Sequence, residues 1–264
     1  MVQFAANLTM MFKEVPFLER FGRAAACGFK AVEFLFPYDY PAAEIKALLD
    51  RHGLKLALFN MFAGDWAGGE RGFAARPAKV ADFRASVDQA LEYARVLGCK
   101  KIHTMSGVTA DEPDRAACEA VWIENLRYAA DRAAKDGVTL LIEPLNTRDM
   151  PGYFLSRQDD ALALIARLDR PNVKLQFDTY HAQIMDGDIT RRLERLAGKF
   201  AHVQIASVPD RHEPDEGELD YGHVFSVLDH TGYDGWIGCE YNPRRDTEAG
   251  LGWVRPYLGK VKVV

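Results

Sequence analysis

The sequence has 264 residues, of which 48% are hydrophobic and 27% are charged, and its formal net charge is −5. This composition is ordinary for a globular protein, and the net negative charge argues against a nucleic-acid partner because no basic surplus is available to meet phosphates. The first residues, MVQFAANLTMMFKEV, lack a basic region and a long apolar core, so we expect no signal peptide and no membrane partner.

Short β-rich runs alternate with helical stretches along the whole chain. The eight predicted strands are VQFAAN (Val2–Asn7), AVEFLF (Ala31–Phe36), LKLALFN (Leu54–Asn60), KKIHTM (Lys100–Met105), VTLLIEP (Val138–Pro144), NVKLQFD (Asn172–Asp178), FAHVQIA (Phe200–Ala206) and GWIGCE (Gly235–Glu240). Between the strands, apolar residues recur at helical spacing, and one stripe comprises Phe83, Val87, Leu91, Ala94 and Leu97. Eight strand–helix units in this length predict an α/β fold, a single (β/α)8 TIM barrel domain over residues 1–264. An open doubly wound sheet is the alternative, but neither GxGxxG nor a P-loop follows the first strand.

The four cysteines, Cys27, Cys99, Cys118 and Cys239, are scattered without a CxxC pair. This pattern predicts reduced thiols in a cytoplasmic protein. Cys239 precedes Glu240, and strand alternation turns its side chain to the opposite face. We therefore do not expect a cysteine nucleophile.

Polar side chains stand at the C-terminal ends of the last four predicted strands. Strands five, six and eight end in or near Glu143, Asp178 and Glu240, and strand seven carries Gln204 just before its end. The C-terminal ends of barrel strands face the catalytic mouth. Three carboxylates that converge there would repel one another and would not all stay ionised in a dry site, and a divalent cation removes that problem. Oxygen ligands favour Mg²⁺ or Mn²⁺ over Zn²⁺.

A single acid at a strand end also has a plain structural interpretation, in which it caps the next helix or pairs with an arginine. Alternation favours the functional interpretation, because Gln176 shares a strand face with Asp178, and His202 shares one with Gln204. Such polar faces suit the top of a barrel lumen better than a surface packed against helices. Because four consecutive strands carry these residues, we favour a shared metal site.

These residues lie in segments that resemble the hydroxypyruvate isomerase family, within the wider group of xylose-isomerase-like barrels. The resemblance covers nearly the whole chain and rests on FAANL (Phe4–Leu8), VEFLFPYDY (Val32–Tyr40), AGDWAGGERG (Ala63–Gly72), LLIEPLN (Leu140–Asn146), FDTYH (Phe177–His181), HVQIAS (His202–Ser207) and GWIGCEY (Gly235–Tyr241). It implies metal ligands at Glu143, Asp178, Gln204 and Glu240, with Glu143 and Glu240 also serving as the acid/base pair. Related ketose 3-epimerases usually carry histidine where Gln204 stands, so Gln204 weakens the assignment of this chain as an epimerase.

The resemblance also implies the reaction and its cofactor. Hydroxypyruvate would become tartronate semialdehyde through a cis-enediolate, whose oxygens can chelate one cation, while one glutamate removes a proton and the other returns one. The cofactor would be Mg²⁺ or Mn²⁺, without an organic cofactor. A 2-oxo-tetronate isomerase is the main alternative, and the sequence does not separate the two. A DNA-repair endonuclease on the same barrel would need a His-rich zinc cluster and a basic groove, and a non-catalytic sugar-acid binder would not need paired glutamates.

Several further residues are candidates for binding a small hydroxy-keto acid. Arg71 and Arg211 can grip the substrate carboxylate, because a guanidinium meets a carboxylate with two hydrogen bonds. His181, three residues after Asp178, would bond substrate oxygens or orient a ligand. The other candidates for the mouth are Asn7, Glu33, Asn60, Glu70 and Trp66, and we assign His103 and His202 core or supporting roles. Trp66 lies in the long loop Asn60–Pro77, where it would close over the substrate or form a contact in a homo-oligomer.

Overall fold

Eight parallel strands close into a barrel in the computed structural model, which describes residues 2–258. The strands are β1 (Gln3–Asn7), β2 (Ala31–Phe34), β3 (Lys55–Asn60), β4 (Lys101–His103), β5 (Thr139–Ile142), β6 (Val173–Asp178), β7 (Phe200–Ile205) and β8 (Trp236–Cys239). The helices are α1 (Phe17–Ala26), α2 (Ala42–His52), α3 (Val80–Leu97), α4 (Arg115–Lys135), α5 (Gln158–Leu168), α6 (Thr179–Met185), α7 (Ile189–Arg195) and α8 (Tyr221–His230). Each strand pairs with its sequence neighbours, and β8 pairs with β1. The predicted (β/α)8 barrel is confirmed.

Two 3₁₀ helices complete the order of elements, Pro77–Lys79 before α3 and Ala249–Trp253 after β8. The second stands where the helix that follows β8 is expected. Trp253 makes an edge-on contact with Phe4 of β1, with ring centroids 5.3 Å apart, and lies 6.3 Å from Phe225 of α8. An aromatic contact therefore joins the last segment to the first strand and the last α-helix.

The strand predictions hold in order and position, but several strands end earlier than predicted. β5 stops at Ile142, one residue before Glu143, and β8 stops at Cys239, one residue before Glu240. Pro144 has no backbone N–H to continue a ladder, which is a physical reason for the early end of β5. Both glutamates thus follow directly from strand ends, where the strands fix their direction.

The apolar core lies between the strands and the surrounding helices. The predicted stripe of α3 is buried throughout, and Gly98 ends this helix in the left-handed conformation with φ 70°. Cys239 is buried in the same core, and burial raises the pKa of its thiol well above the ordinary value. Across residues 2–258, no helix combines the length and the hydropathy that a membrane span requires.

The barrel lumen is lined by polar side chains near the C-terminal mouth and by small side chains farther from it. By alternation, Ala5 of β1 and Ala31 of β2 share the inner face with Asn7 and Glu33, and these alanines form a small apolar cluster with Ala57. Above them lie buried polar side chains from β2, β6 and β7, namely Glu33, Gln176, His202 and Gln204. The lumen therefore supports the C-terminal mouth with hydrogen-bonding groups.

Candidate active site

Three carboxylates and one histidine converge at the C-terminal mouth of the barrel. Glu143 follows β5, Asp178 ends β6, His181 lies in α6 and Glu240 follows β8. One ligand atom from each of these four residues lies within 4.8 Å of the others, and all four residues are buried. The carboxylates predicted from separate strand ends are thus brought to one place.

Asp178 has both of the roles that were weighed for a strand-end acid. Its Oδ1 caps α6 by accepting from the Tyr180 N–H at 2.7 Å. Its Oδ2 is buried and has no hydrogen-bond partner among the described residues, and the same holds for Oε1 of Glu143. Buried carboxylate oxygens without donors are costly, so this pair of free oxygens suits a bound cation.

Gln204 lies beside the carboxylates through a shared neighbour. Its Oε1 accepts a hydrogen bond from Nε2 of Gln176, and the same nitrogen donates to Oε2 of Glu143 at 3.0 Å. The Gln204 amide oxygen is therefore one hydrogen-bond step from Glu143. An amide oxygen added to three carboxylates gives the all-oxygen donor set that Mg²⁺ and Mn²⁺ prefer.

The electrostatics of the mouth favour added positive charge. Burial, then repulsion from Glu240 and Asp178, raises the pKa of Glu143 well above its usual value. Burial also raises the pKa of Asp178 and raises that of Glu240 to about 8, while Arg211 opposes both shifts. Three buried acids face one arginine, so the residues present fit a divalent cation.

These shifts predict how the stability of the metal-free protein depends on pH. Glu240 has a pKa of about 8 when folded and 4.5 as its ordinary value, so between these pH values the folded state binds more protons than the unfolded state. Stability must then fall as pH rises through this window. We expect thermal unfolding of EDTA-treated protein to show this fall, and Glu240→Gln to make it smaller. The same pH dependence of thermal unfolding in the wild type and in Glu240→Gln would contradict the raised pKa of Glu240.

His181 presents an N–H to the mouth. Its Nδ1 accepts from the backbone N–H of Asn146 at 3.1 Å, and a backbone N–H can only donate. Because Nδ1 accepts this bond, we assign the proton of the neutral ring to Nε2, which lies 3.7 Å from Asp178 Oδ2, 4.0 Å from Glu143 Oε1 and 3.5 Å from Arg211 Nη2. Burial, then the Arg211 charge, lowers the pKa of His181 well below its usual value. His181 is thus a neutral donor, and its protonated Nε2 is unsuited to bind a metal.

The tautomer of His181 can be checked directly. We expect long-range ¹H–¹⁵N spectra of the metal-free protein to show a neutral ring with the proton on Nε2 from about pH 8 to about pH 5, the range where an unperturbed histidine titrates. Burial and the contact with Asn146 are the physical reasons. A ring that becomes doubly protonated in this range, or that carries its proton on Nδ1, would contradict the assignment.

Arg211 is the cation of the mouth. It has a left-handed backbone, with φ 57°, and its Nη2 donates to Glu240 Oε2 at 2.8 Å and lies 3.8 Å from Asp178 Oδ2. Its guanidinium carbon lies 4.9 Å from the centroid of the Tyr180 ring. The structure therefore places Arg211 where a substrate carboxylate could reach it.

A cavity of about 80 Å³ opens onto these groups. Its lining includes polar and charged groups as well as Met and Leu side chains. The lining residues are Met10, Leu35, Asn60, Trp66, His103, Met105, Glu143, Leu145, Met150, His181, Arg211 and Glu240. Two predicted mouth residues, Asn60 and Trp66, are among them. Asn7 lies just below, with Nδ2 3.4 Å from Glu240 Oε1.

His103 has a more direct position than the sequence indicated. It lines the cavity, its Nδ1 lies 3.5 Å from Glu143 Oε2, and neither ring nitrogen has a hydrogen-bond partner among the described residues. Burial, then the His202 charge, lowers its pKa to about 3, so the ring is neutral. Because His103 lines the cavity and its ring nitrogens lack partners, it is a further candidate for substrate contact.

Glu70 and Arg71 lie outside the cavity, contrary to the expectation for both. Glu70 accepts from the Asp65 N–H at 2.8 Å and pairs with Lys79 at 2.8 Å, which closes the loop on itself. The Arg71 Nη1 donates to the backbone oxygens of Trp66 and Glu70, and its guanidinium stacks 3.9 Å from the Trp66 ring centroid. These residues hold Trp66 in place and do not line the cavity.

Comparison with known proteins gives a consistent family. A family model described as xylose isomerase-like TIM barrel matches residues 21–257. A 2-oxo-tetronate isomerase of Cupriavidus necator is 58% identical over 98% of this chain and 100% of its own length. A hydroxypyruvate isomerase of Escherichia coli is 47% identical over 97% of this chain and 100% of its own length.

Among solved structures, one titled AP endonuclease, family 2, from Brucella melitensis superposes with a TM-score of 0.96 at 60% identity, covering 97% of this chain and 99% of that chain. A D-psicose 3-epimerase from Clostridium cellulolyticum superposes with a TM-score of 0.80 at 18% identity, covering 97% and 99% of the two chains. At this low identity the epimerase shows a shared fold alone.

Proposed function

Because this chain belongs to the xylose isomerase-like TIM barrel family and is an isomerase, we propose that it moves a proton between adjacent carbons of a small hydroxy-keto acid, of which hydroxypyruvate is the first candidate. The observation that carries the proposal is the pair Glu143 and Glu240, two buried carboxyls with raised pKa values that line one cavity beside Arg211. Acid/base catalysis is most efficient when the pKa of the group lies near the working pH.

The two glutamates divide the proton transfer. One glutamate, in its ionised form, removes a proton from the carbon that bears the hydroxyl. The other glutamate, in its protonated form, delivers a proton to the former carbonyl carbon. The hydroxyl proton moves to the other oxygen, so atoms and charge balance. Which glutamate acts first depends on the direction of the reaction.

Arg211 and His181 orient the substrate in this scheme. Arg211 offers its guanidinium to the substrate carboxylate, and the neutral His181 donates from Nε2 to a substrate oxygen on which negative charge develops. The apolar wall of Met and Leu side chains excludes water around the reacting carbons.

A divalent cation, Mg²⁺ or Mn²⁺, would be held by Glu143, Asp178, Gln204 and Glu240. When bound, it would stabilise the negative charge that develops on the substrate oxygens. The free oxygens of Glu143 and Asp178 and the excess of acids support this donor set. We assign Gln204 to it in preference to His181, because the His181 nitrogen that faces the cluster carries a hydrogen.

A 2-oxo-tetronate is the second candidate substrate, and sequence similarity favours it. The Cupriavidus relative shares 58% of its residues with this chain and the Escherichia relative 47%. The same acid/base pair serves either compound, and only the room at the far end of the substrate differs. A ketose 3-epimerase is a weaker alternative, supported by fold alone.

A coupled assay with hydroxypyruvate and a 2-oxo-tetronate, using EDTA-treated enzyme with and without Mn²⁺, tests the proposal. We expect turnover of at least one compound that disappears with EDTA and returns with Mn²⁺. Cleavage of abasic-site DNA in a parallel assay would support the nuclease named for the Brucella structure. Within residues 2–258, the single metal-binding group of acids, histidines and cysteines contains one histidine, which does not favour that activity. Inactivity on both keto acids would contradict the proposed function.

A further inference from the structure

The carboxylate of Glu33 lies in the barrel lumen next to the proposed site, and the mechanism above gives it no task. Its side chain is fully buried. Oε1 accepts from Asn7 Nδ2 at 3.0 Å and from Gln204 Nε2 at 2.8 Å, and Oε2 lies 2.7 Å from His202 Nε2. Three nitrogens from two strands, β1 and β7, thus converge on one carboxylate.

Two chains of hydrogen bonds run from Glu33 to the two glutamates of the mouth. In the first, Asn7 Nδ2 also lies 3.4 Å from Glu240 Oε1. In the second, Gln204 Oε1 accepts from Gln176, whose Nε2 donates to Glu143 at 3.0 Å. Each glutamate therefore has one oxygen held by a carboxamide N–H, and both chains begin at the same residue.

The chemistry of a carboxylate fixes the direction of these bonds. Glu33 Oε1 accepts from both carboxamides, so each of them presents its NH₂ end to Glu33. The Gln204 oxygen must then point to the other side, toward Gln176 and the mouth. Without Glu33, either end of this amide could face the lumen, and a reversed Gln204 would offer an NH₂ where a metal ligand is needed.

Gly238 of β8 shows that the lumen is shaped to admit this carboxylate. A Cβ atom at position 238 would lie 2.3 Å from Glu33 Oε1. The backbone at position 238 does not have a positive φ, so space is the reason for glycine. The strand that leads to Glu240 therefore leaves room for the side chain that orients Asn7 and Gln204.

We propose that Glu33 is a positioning residue that sets the orientation of Gln204 and Asn7, and through them the placement of Glu143 and Glu240. This inference rests on the proposed roles of those two glutamates and of Gln204. Glu33 is not among the residues that line the cavity, and its hydrogen bonds to the carboxamides of Asn7 and Gln204 are the route by which it acts.

The test compares Glu33→Gln, Gly238→Ala and the double variant. Glutamine carries a donor as well as an acceptor, so it no longer requires both carboxamides to present their NH₂ ends. In Gly238→Ala, the added Cβ displaces the Glu33 carboxylate, while Glu33 and the residues that bond to it keep their own side chains. We expect each single variant to lower the Mn²⁺ affinity, measured by EPR titration, by about 10- to 100-fold, and to lower kcat by a similar factor. KM should change less than kcat, and the double variant should be no worse than either single one.

The chain offers a matched control pair away from the lumen. Glu213 is buried, pairs with Arg244 at 3.0 Å, and has a glycine, Gly250, whose added Cβ would lie 2.2 Å from its Oε1. Glu213→Gln and Gly250→Ala should lower thermal stability but leave Mn²⁺ affinity unchanged. If Glu33→Gln behaves like this control, with lost stability and wild-type Mn²⁺ affinity, Glu33 is a structural residue and the proposal is wrong.

The Mn²⁺ titration uses no substrate, so failure of both keto acids in the assay would reject the proposed function without deciding the role of Glu33. Should Glu33→Gln not fold, Gly238→Ala and Glu33→Asp give the same readout. Should the wild-type protein bind no Mn²⁺, crystal structures of the metal-free variants decide the case. Displaced Gln204 and Glu240 side chains would support positioning, and unchanged ones would overturn it.

Discussion

Replacing Glu143 or Glu240 with glutamine should abolish most turnover, lowering kcat by at least the roughly 10²- to 10⁴-fold that a positioned acid or base contributes. Glutamine keeps the size of the side chain but cannot take up or release a proton near neutral pH. It also weakens the oxygen donor set proposed for the cation. Steady-state kinetics on the active keto acid, with saturating Mn²⁺, provide the measurement.

The fold should survive these two substitutions. In the metal-free protein, Glu143 is buried beside two other acids, and their repulsion contributes to its raised pKa. Glu143→Gln removes an acid whose ionised form is disfavoured at this place, so we expect the metal-free variant to be at least as stable as the wild type near neutral pH. Glu213→Gln is the control, because it neutralises a buried glutamate that pairs with Arg244. Near-normal turnover in either active-site variant would remove that residue from the acid/base role.

Arg211→Met should cause the second large loss. The arginine is hydrogen-bonded to Glu240 and lies 3.8 Å from Asp178, so its removal leaves buried carboxylates without this cation. Truncating one member of such a pair costs about 2–5 kcal/mol. If that cost appears in the transition state, kcat/KM falls by roughly 30- to 5,000-fold.

Arg211→Lys separates charge from geometry. Lysine keeps the positive charge but lacks the planar fork that meets a carboxylate with two hydrogen bonds. We expect a smaller loss than for methionine, mostly in KM, if Arg211 holds the substrate carboxylate. Equal losses in the two variants would show that the fork, and not the charge, matters. Wild-type kinetics in Arg211→Met would contradict a role in the site.

The fold was predictable from the sequence because the periodicity of strands and helices is local. The α3 stripe and the strand runs needed no knowledge of distant contacts. The acids were predictable for a related reason, since every strand of a closed parallel barrel ends at the same mouth, as Glu143, Asp178 and Glu240 show.

Other site features depend on where a strand ends or how a loop turns. His103 was underestimated because the fourth strand was predicted to run to Met105, whereas β4 ends at His103 itself. The rule that singled out the acids would have included this histidine if the boundary had been known. Glu70 and Arg71 were placed in the mouth because their loop lies on that face, but sequence does not reveal that Glu70 turns to Asp65 and Lys79.

Contacts across the lumen were also beyond local reasoning. Glu33 and His202 are 169 positions apart in the chain, yet their side chains lie 2.7 Å from each other. Alternation in the sequence placed His202 on the same face as Gln204, and Glu33 was a candidate for the mouth, but only the closed barrel shows that the two side chains meet. The apolar wall formed by Met10, Leu35 and Met150 comes from three separate loops and strand ends for the same reason.

The most direct measurement is an anomalous-diffraction map of crystals soaked in Mn²⁺, collected at the manganese edge. One peak should appear at the C-terminal mouth, bound by oxygens of Glu143, Asp178, Gln204 and Glu240, with His181 outside the coordination shell. A peak held elsewhere, or no peak in protein that still turns over a keto acid, would contradict the proposed metal site.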